Sequence, residues 1–194
     1  MPRYREAVAT AERTFTAEEF LGLPENEHSR HCELIGGRIV MDAPRGLHNL
    51  VVLNLASALR GWIEAAPGRG FVNFNQGLRL TDRDVLIPDL LWWADASRVD
   101  LSKGIQPVPD LAVEVRSPAT WLFDIGVKRR LYEEHGVGEL WLVDTDAQTV
   151  IVARRSGPRE PIFAEGAELR MPESLTSPAL PGFELAVDDL FRLP

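Results

Sequence analysis

Two carboxylates stand where apolar side chains are expected. In LAVEVRS (111–117) Glu114 falls among Leu111, Val113 and Val115, and in VLIPDLLWW (85–93) Asp89 falls among large apolar residues. Strand alternation puts Leu111, Val113 and Val115 on one face and Ala112, Glu114 and Arg116 on the other. An ionised carboxylate buried without a partner is costly enough to protonate or be lost, so each needs a cation or hydrogen-bond donors. One shared divalent metal would satisfy both. Lys128 is the third member, four residues after Asp124 and four before Tyr132, so the three share a helical face. If that helix packs back over the preceding strand, the ammonium points at Glu114. Two carboxylates and a lysine around one metal form a set for hydrolysing a phosphodiester: the metal binds water and a phosphate oxygen, and the lysine orients the water or neutralises developing charge. No serine, cysteine or histidine motif supports a covalent route, since RSP at 116–118 lacks the glycine elbow of a hydrolase.

The flanking elements can be read from spacing. FTAEEFLGLPE (15–25) has Thr16 three residues ahead of Glu19, a capping-box spacing, and stops at a proline, so it predicts a short helix. ELIGGRIVM (33–41) places two apolar segments around Gly36-Gly37 and predicts a hairpin. From His48, apolar Val51, Leu55, Leu59, Trp62 and Ile63 recur at helical spacing until Pro67-Gly68. Three strands are expected next, at 71–80, 85–95 and 111–117, followed by a helix over 123–136 with Asp124 as its cap. Strands over 139–144 and 149–155 and a short strand or two near PGFEL (181–185) complete the chain. This order predicts an α/β fold, a mixed sheet flanked by helices.

Composition sets outer limits. The 194 residues, 45% hydrophobic and 26% charged, suit one domain over 1–194 with a loose stretch at 1–13. No apolar run is long enough to span a bilayer, and the charged MPRYREAVATAERTF does not resemble a signal peptide, so a cytoplasmic protein without membrane partners is expected. The net charge of −8 requires a local basic patch for any nucleic-acid partner, while suiting carboxylates that hold a hard divalent ion. A single cysteine, Cys32, excludes an internal disulfide and is expected to be modestly exposed. The tryptophans, including Trp92, Trp93 and Trp141, are expected in the core or at a dimer contact.

PDL at 88–90, PDLAVEVRSP at 109–118, the Asp124, Lys128, Tyr132 series and GVGELWLVD at 136–144 follow CELIGGRIV and GLH in order. This series, over roughly residues 14–155, resembles the Uma-type restriction-endonuclease-like family of the PD-(D/E)xK nuclease superfamily. The resemblance implies a restriction-endonuclease-like core with an N-terminal helix and β-hairpin, Asp89 and Glu114 as metal ligands, and Lys128 as the catalytic lysine. It also implies Mg²⁺, with Mn²⁺ as a substitute, and a homodimer acting on DNA. One departure stands out: the superfamily's lysine usually lies two residues after the second acid, where this chain has Arg116. Arginine is a poor base, although it could clamp a phosphate, and Lys128 is favoured.

Four accessory candidates remain. Glu33, at a position the family also fills with glutamate, could reach the metal or its water, or pair at a strand edge with an arginine. His48 could touch phosphate or transfer a proton, or serve as a local hydrogen-bonding group. Tyr132 could bond an acidic ligand or be half-buried packing. Arg116 could bind phosphate. The leading reading is a metal-dependent endonuclease on DNA using direct attack by water. The alternatives are a nuclease fold used for nucleic-acid binding or regulation, and a structural protein in which Asp89 and Glu114 pair with Lys128 and Arg116.

Overall fold

The computed structural model describes residues 13–24, 32–118, 120–157 and 160–193. The expectation that residues 1–13 are loose lies, apart from Arg13, outside them. Helix α1 (Ala17–Leu21) opens with the predicted capping box: Glu19 N donates to Thr16 Oγ1 at 3.2 Å and Thr16 N donates to Glu19 Oε2 at 2.8 Å. The hairpin of β1 (Cys32–Ile35) and β2 (Arg38–Met41) turns through Gly36 and Gly37, with φ of 58° and 80°. A side chain at Gly37 would be strained in φ and would sit 3.1 Å from the Phe15 carbonyl.

Helix α2 (Gly46–Glu64) buries Val51, Leu55, Leu59 and Trp62 as the apolar spacing predicts. Next come β3 (Phe71–Asn73), β4 (Leu78–Arg79), β5 (Val85–Leu86), β6 (Leu90–Trp93) and β7 (Leu111–Val115). One helical run then joins α3 (Trp121–Phe123), a π-helical turn (Asp124–Lys128) and α4 (Arg129–Glu134). The chain continues through β8 (Glu139–Asp144), β9 (Thr149–Arg154), β10 (Glu165–Arg170), β11 (Ser174–Thr176), β12 (Glu184–Ala186) and α5 (Val187–Phe191).

A six-stranded mixed sheet of order β10-β9-β8-β7-β6-β3 has one parallel pair, β7 with β8, bridged by the α3–α4 crossover. A four-stranded sheet of order β2-β1-β5-β4 lies beside it, and β11 pairs with β12. The pleat of β7 and β8 separates two apolar layers. Val113, Val115, Trp141 and Val143 pack with α2 and α5, while Ala112, Leu140 and Leu142 pack with Leu131 and Tyr132 of α4 and with Ile35 and Leu86 of the smaller sheet. Glu114 shares the second face with Ala112 and therefore looks toward α4.

Three expectations need correction. The strands expected over 71–80 and 85–95 are each split between the two sheets. Pro88 has no N–H to donate and constrains the residue before it, so the chain leaves one sheet at Leu86 and joins the other at Leu90. Asp89 therefore occupies the break between strands and not a strand interior. Cys32 is 2% exposed, packed with Phe20, Leu34 and Val85, because the hairpin covers it with α1. The helical run starts at Trp121 with Thr120 in the N-cap position, so Asp124 lies inside it and is not its cap. Two elements beyond the expected set are β10, an outer strand that stays largely exposed, and α5, which buries Val187 and Leu190.

Candidate active site

Lys128 is the centre of the site. Its Nζ lies 2.9 Å from each of Glu33 Oε2, Glu114 Oε1 and Asp124 Oδ1, and its side chain is 2% exposed. Three elements converge to make this possible. The β7 pleat turns Glu114 away from the α2 layer, the hairpin brings Glu33 across from the smaller sheet, and the π turn carries Asp124 and Lys128 on the same wall. A wider π turn interrupts an otherwise α-helical run here, a feature frequent at functional sites. Tyr132, one turn further on, donates a short hydrogen bond to Glu114 Oε1. Ile87 N donates to Glu33 Oε1 at 2.7 Å, which fixes that carboxylate from the β5 side.

Asp89 borders the same space. Val115 N donates to its Oδ2 at 2.7 Å, so the strand carrying Glu114 also orients Asp89. Its Oδ1 lies 3.2 Å from His48 Nε2, within ion-pair range but without the alignment of a good hydrogen bond. Glu33, Asp42, Asn75, Asp89, Glu114 and Lys128 line a cavity of about 20 Å³, enough for one water molecule or ion.

Charge in this cluster is unbalanced: four carboxylates (Glu33, Asp89, Glu114, Asp124) face one lysine. Burial raises Glu33 and Asp124 above the ordinary carboxylate range and Glu114 well above it, against the opposing attraction of Lys128. Burial disfavours the charged lysine, yet Glu114, Glu33 and Asp124 together outweigh it and hold the Lys128 pKa well above its usual value. Burial likewise acts against charge on His48, but contact with Asp89 prevails and raises its pKa. Burial beside Glu114 pushes the Tyr132 hydroxyl well up, so it remains a donor.

Surplus negative charge at low dielectric attracts a cation. Among the described residues no three His, Cys, Asp or Glu side chains are grouped to cage a metal. Four carboxylates border the cavity, Glu33, Asp42, Asp89 and Glu114, and Asp89 with Glu114 is the pair that the motif series offers as ligands. That donor set fits a Mg²⁺-like ion, which keeps several waters and takes one or two carboxylates.

A family described as "Putative restriction endonuclease", Uma2, matches residues 17–188. The chain belongs to the Uma2 family. Its fold is similar to the crystal structure of a "putative nuclease belonging to DUF820" from Anabaena variabilis, with a TM-score of 0.75 and 24% identity over 91% of this chain and 97% of that one. No curated protein matches the chain. The restriction-endonuclease-like fold expected from the motif series is thus shown, and Uma2 membership supports a nuclease.

Against this Uma2 frame, Asp89, Glu114, Lys128, Glu33, His48 and Tyr132 come together. Arg116 does not join them: its Nη1 lies 2.9 Å from Asp144 Oδ1 and Oδ2 and its Nη2 lies 2.9 Å from Asp146 Oδ2, at the C-terminal end of β8 and in the turn after it. Glu33 pairs with Lys128, not with an arginine. Asp124 is the residue sequence reasoning undervalued. It is a buried partner of Lys128, and the signal was its four-residue spacing from that lysine. Asp42 and Asn75 had no signal, because the loops that carry them approach the site only in the folded chain.

Proposed function

We propose that the chain is a metal-dependent endonuclease that hydrolyses DNA phosphodiester bonds by direct attack of water, with Asp89, Glu114 and Lys128 as its catalytic residues. The observation that carries this reading is the buried Lys128 held among carboxylates beside a cavity of ion size that Asp89 also borders. Asp89 and Glu114 would hold Mg²⁺, or Mn²⁺ in its place, which supplies Lewis-acid charge for the phosphate and makes water more acidic. Lys128 remains an ammonium at neutral pH, so it acts by charge and hydrogen bonding and is no proton acceptor. It orients the attacking water and neutralises charge gathering on phosphate oxygens. Tyr132 holds Glu114 in one rotamer, Val115 N holds Asp89, and His48 backs Asp89 from the α2 side. Glu33 and Asp124 keep the ammonium in place.

A double-strand cut needs two sites, so the reading includes a homodimer, tested by sedimentation. It also includes a cytoplasmic location; no helix among the described residues is long and apolar enough to cross a membrane. One observation favours a binding or regulatory protein instead. All three Lys128 donors are already taken by carboxylates, leaving none for substrate unless one carboxylate moves. Supercoiled plasmid with Mg²⁺ or Mn²⁺ separates the two. Nicking that EDTA stops and that Asp89→Ala and Lys128→Ala abolish supports the nuclease; retention of DNA without cleavage by wild type supports the binder.

A further inference from the structure

Helix α2 carries a second stripe that its core packing explains only in part: Val52 and Ala56 are half-buried against the core, while Leu53 stays exposed. Asn49, Val52, Leu53 and Ala56 follow the i, i+3, i+4, i+7 spacing on a face beside the buried one, and Leu53 is 63% exposed. Opposite stands Phe74, 56% exposed, on the loop between β3 and β4. Between them lies a hollow of about 270 Å³, at the small end of cavities that take organic ligands.

Two features tie this hollow to the site. Asp42, Asn75 and Asp89 line both it and the ion-sized cavity, so the two are continuous, and His48 forms part of its wall. The Phe74 loop is also held in place. Phe74 N donates to Asn73 Oδ1 at 2.9 Å, and Gln76 Nε2 reaches the Phe74 carbonyl at 3.4 Å. Gly77 N donates to the Gly104 carbonyl at 3.0 Å, and Asn75 takes a left-handed φ of 52°. Asparagine takes this backbone more readily than most residues, so the turn that presents Phe74 is stable. The loop thus presents an aromatic face in the open beside a carboxylate assigned to phosphodiester chemistry. Two further polar groups rim the hollow, the Asn75 side chain and the Asn49 amide, either of which can bond a base edge.

An apolar slot with one exposed aromatic wall and carboxamides at its rim suits a nucleobase. We infer that this hollow receives one unpaired base next to the scissile phosphate, so that the preferred substrate is DNA in which a base is single-stranded, bulged or flipped out. A base within a duplex cannot enter, because its faces are covered by its neighbours. Phe74 stacks on the base and Val52, Leu53 and Ala56 form the opposite wall. The inference rests on the nucleic-acid reading of the site, and its test separates the two.

Oligonucleotides carry 2-aminopurine either unpaired, as a one-base bulge, or paired in a matched duplex, and are titrated with wild-type protein in Ca²⁺. The expected result is tighter binding of the bulged DNA, with quenching of 2-aminopurine fluorescence. Phe74→Ala weakens that binding by roughly 5- to 150-fold, the span measured for loss of one stacking partner, and removes most of the difference from duplex. Phe74→Trp restores the quenching, and Leu53→Glu, from the other wall, repeats the Phe74→Ala loss. Both positions are exposed, so circular dichroism and thermal unfolding should be unchanged. Equal affinity for bulged and matched DNA, absence of DNA binding, or quenching indifferent to Phe74 would each overturn the inference. Matched plasmid cleaved with no influence of unpaired bases sinks this inference and leaves the nuclease standing. Phe74-dependent quenching without cleavage under Mg²⁺ does the reverse.

Discussion

Replacing Lys128 by methionine removes the single ammonium that compensates Glu33, Glu114 and Asp124 while nearly preserving volume. Breaking a buried ion pair by deleting one partner costs about 3–5 kcal/mol. In a chain of this length each kcal/mol shifts Tm by about 2–4 °C, so Lys128→Met in EDTA at pH 8 should melt about 6–20 °C below wild type. The loss depends on pH with a definite sign. The carboxylates have folded-state pKa values raised by burial, so from their unfolded values upward the native state binds more protons than the unfolded one. Stability therefore rises as pH falls toward the unfolded carboxylate values and is lost as pH rises. Without Lys128 those carboxylates lose the attraction that holds them down, so the slope steepens and the deficit narrows near pH 5. Differential scanning calorimetry at pH 5 and pH 8 reads this directly. An unchanged Tm at pH 8, or a deficit that widens on acidification, would refute the charge argument.

Metal should act on the same imbalance. Mg²⁺ at a hundred times its Kd stabilises by about 2.7 kcal/mol, and Asp89→Asn or Glu114→Gln should abolish that thermal shift even if neither cleaves DNA. Tyr132→Phe leaves a buried Glu114 oxygen short of a donor and should cost about 1–3 kcal/mol in urea unfolding, with a reduced cleavage rate. Arg116→Ala breaks a pairing with Asp144 and Asp146 away from the cavity, so plasmid cleavage should fall far less than in Lys128→Ala. Gly37→Ala forces a side chain into a left-handed backbone and against the Phe15 carbonyl, and should lower stability by about 1–2 kcal/mol without altering cleavage per folded molecule.

Local order accounts for what could be read in advance. The capping box at Thr16, the glycine hairpin, the α2 stripe and the β7 pleat each depend on residues a few positions apart, and each forms as spacing dictates. The oddity of Glu114 in an apolar strand and the i, i+4 steps from Asp124 to Lys128 to Tyr132 were likewise local facts. What lay beyond them were the partners. Residues 85–95 read as one strand in sequence, and only pairing shows that Pro88 sends the chain from one sheet to the other and leaves Asp89 at the join.

The sequence by itself determined which side chains had a charge to place: Asp89 and Glu114 in apolar surroundings, Asp124 and Lys128 one helical turn apart, Glu33 at the start of a strand, and Arg116 in the position a lysine usually holds. Tertiary structure alone decided which charge meets which. Lys128 reaches Glu33 across 95 residues of chain, and Arg116, two residues from Glu114, turns to Asp144 instead. The physical reason is that spacing fixes direction only along one helix or strand. The meeting of charges from separate elements depends on sheet pairing and crossover, which bury the groups together in a medium too poor in water to leave any of them unpaired.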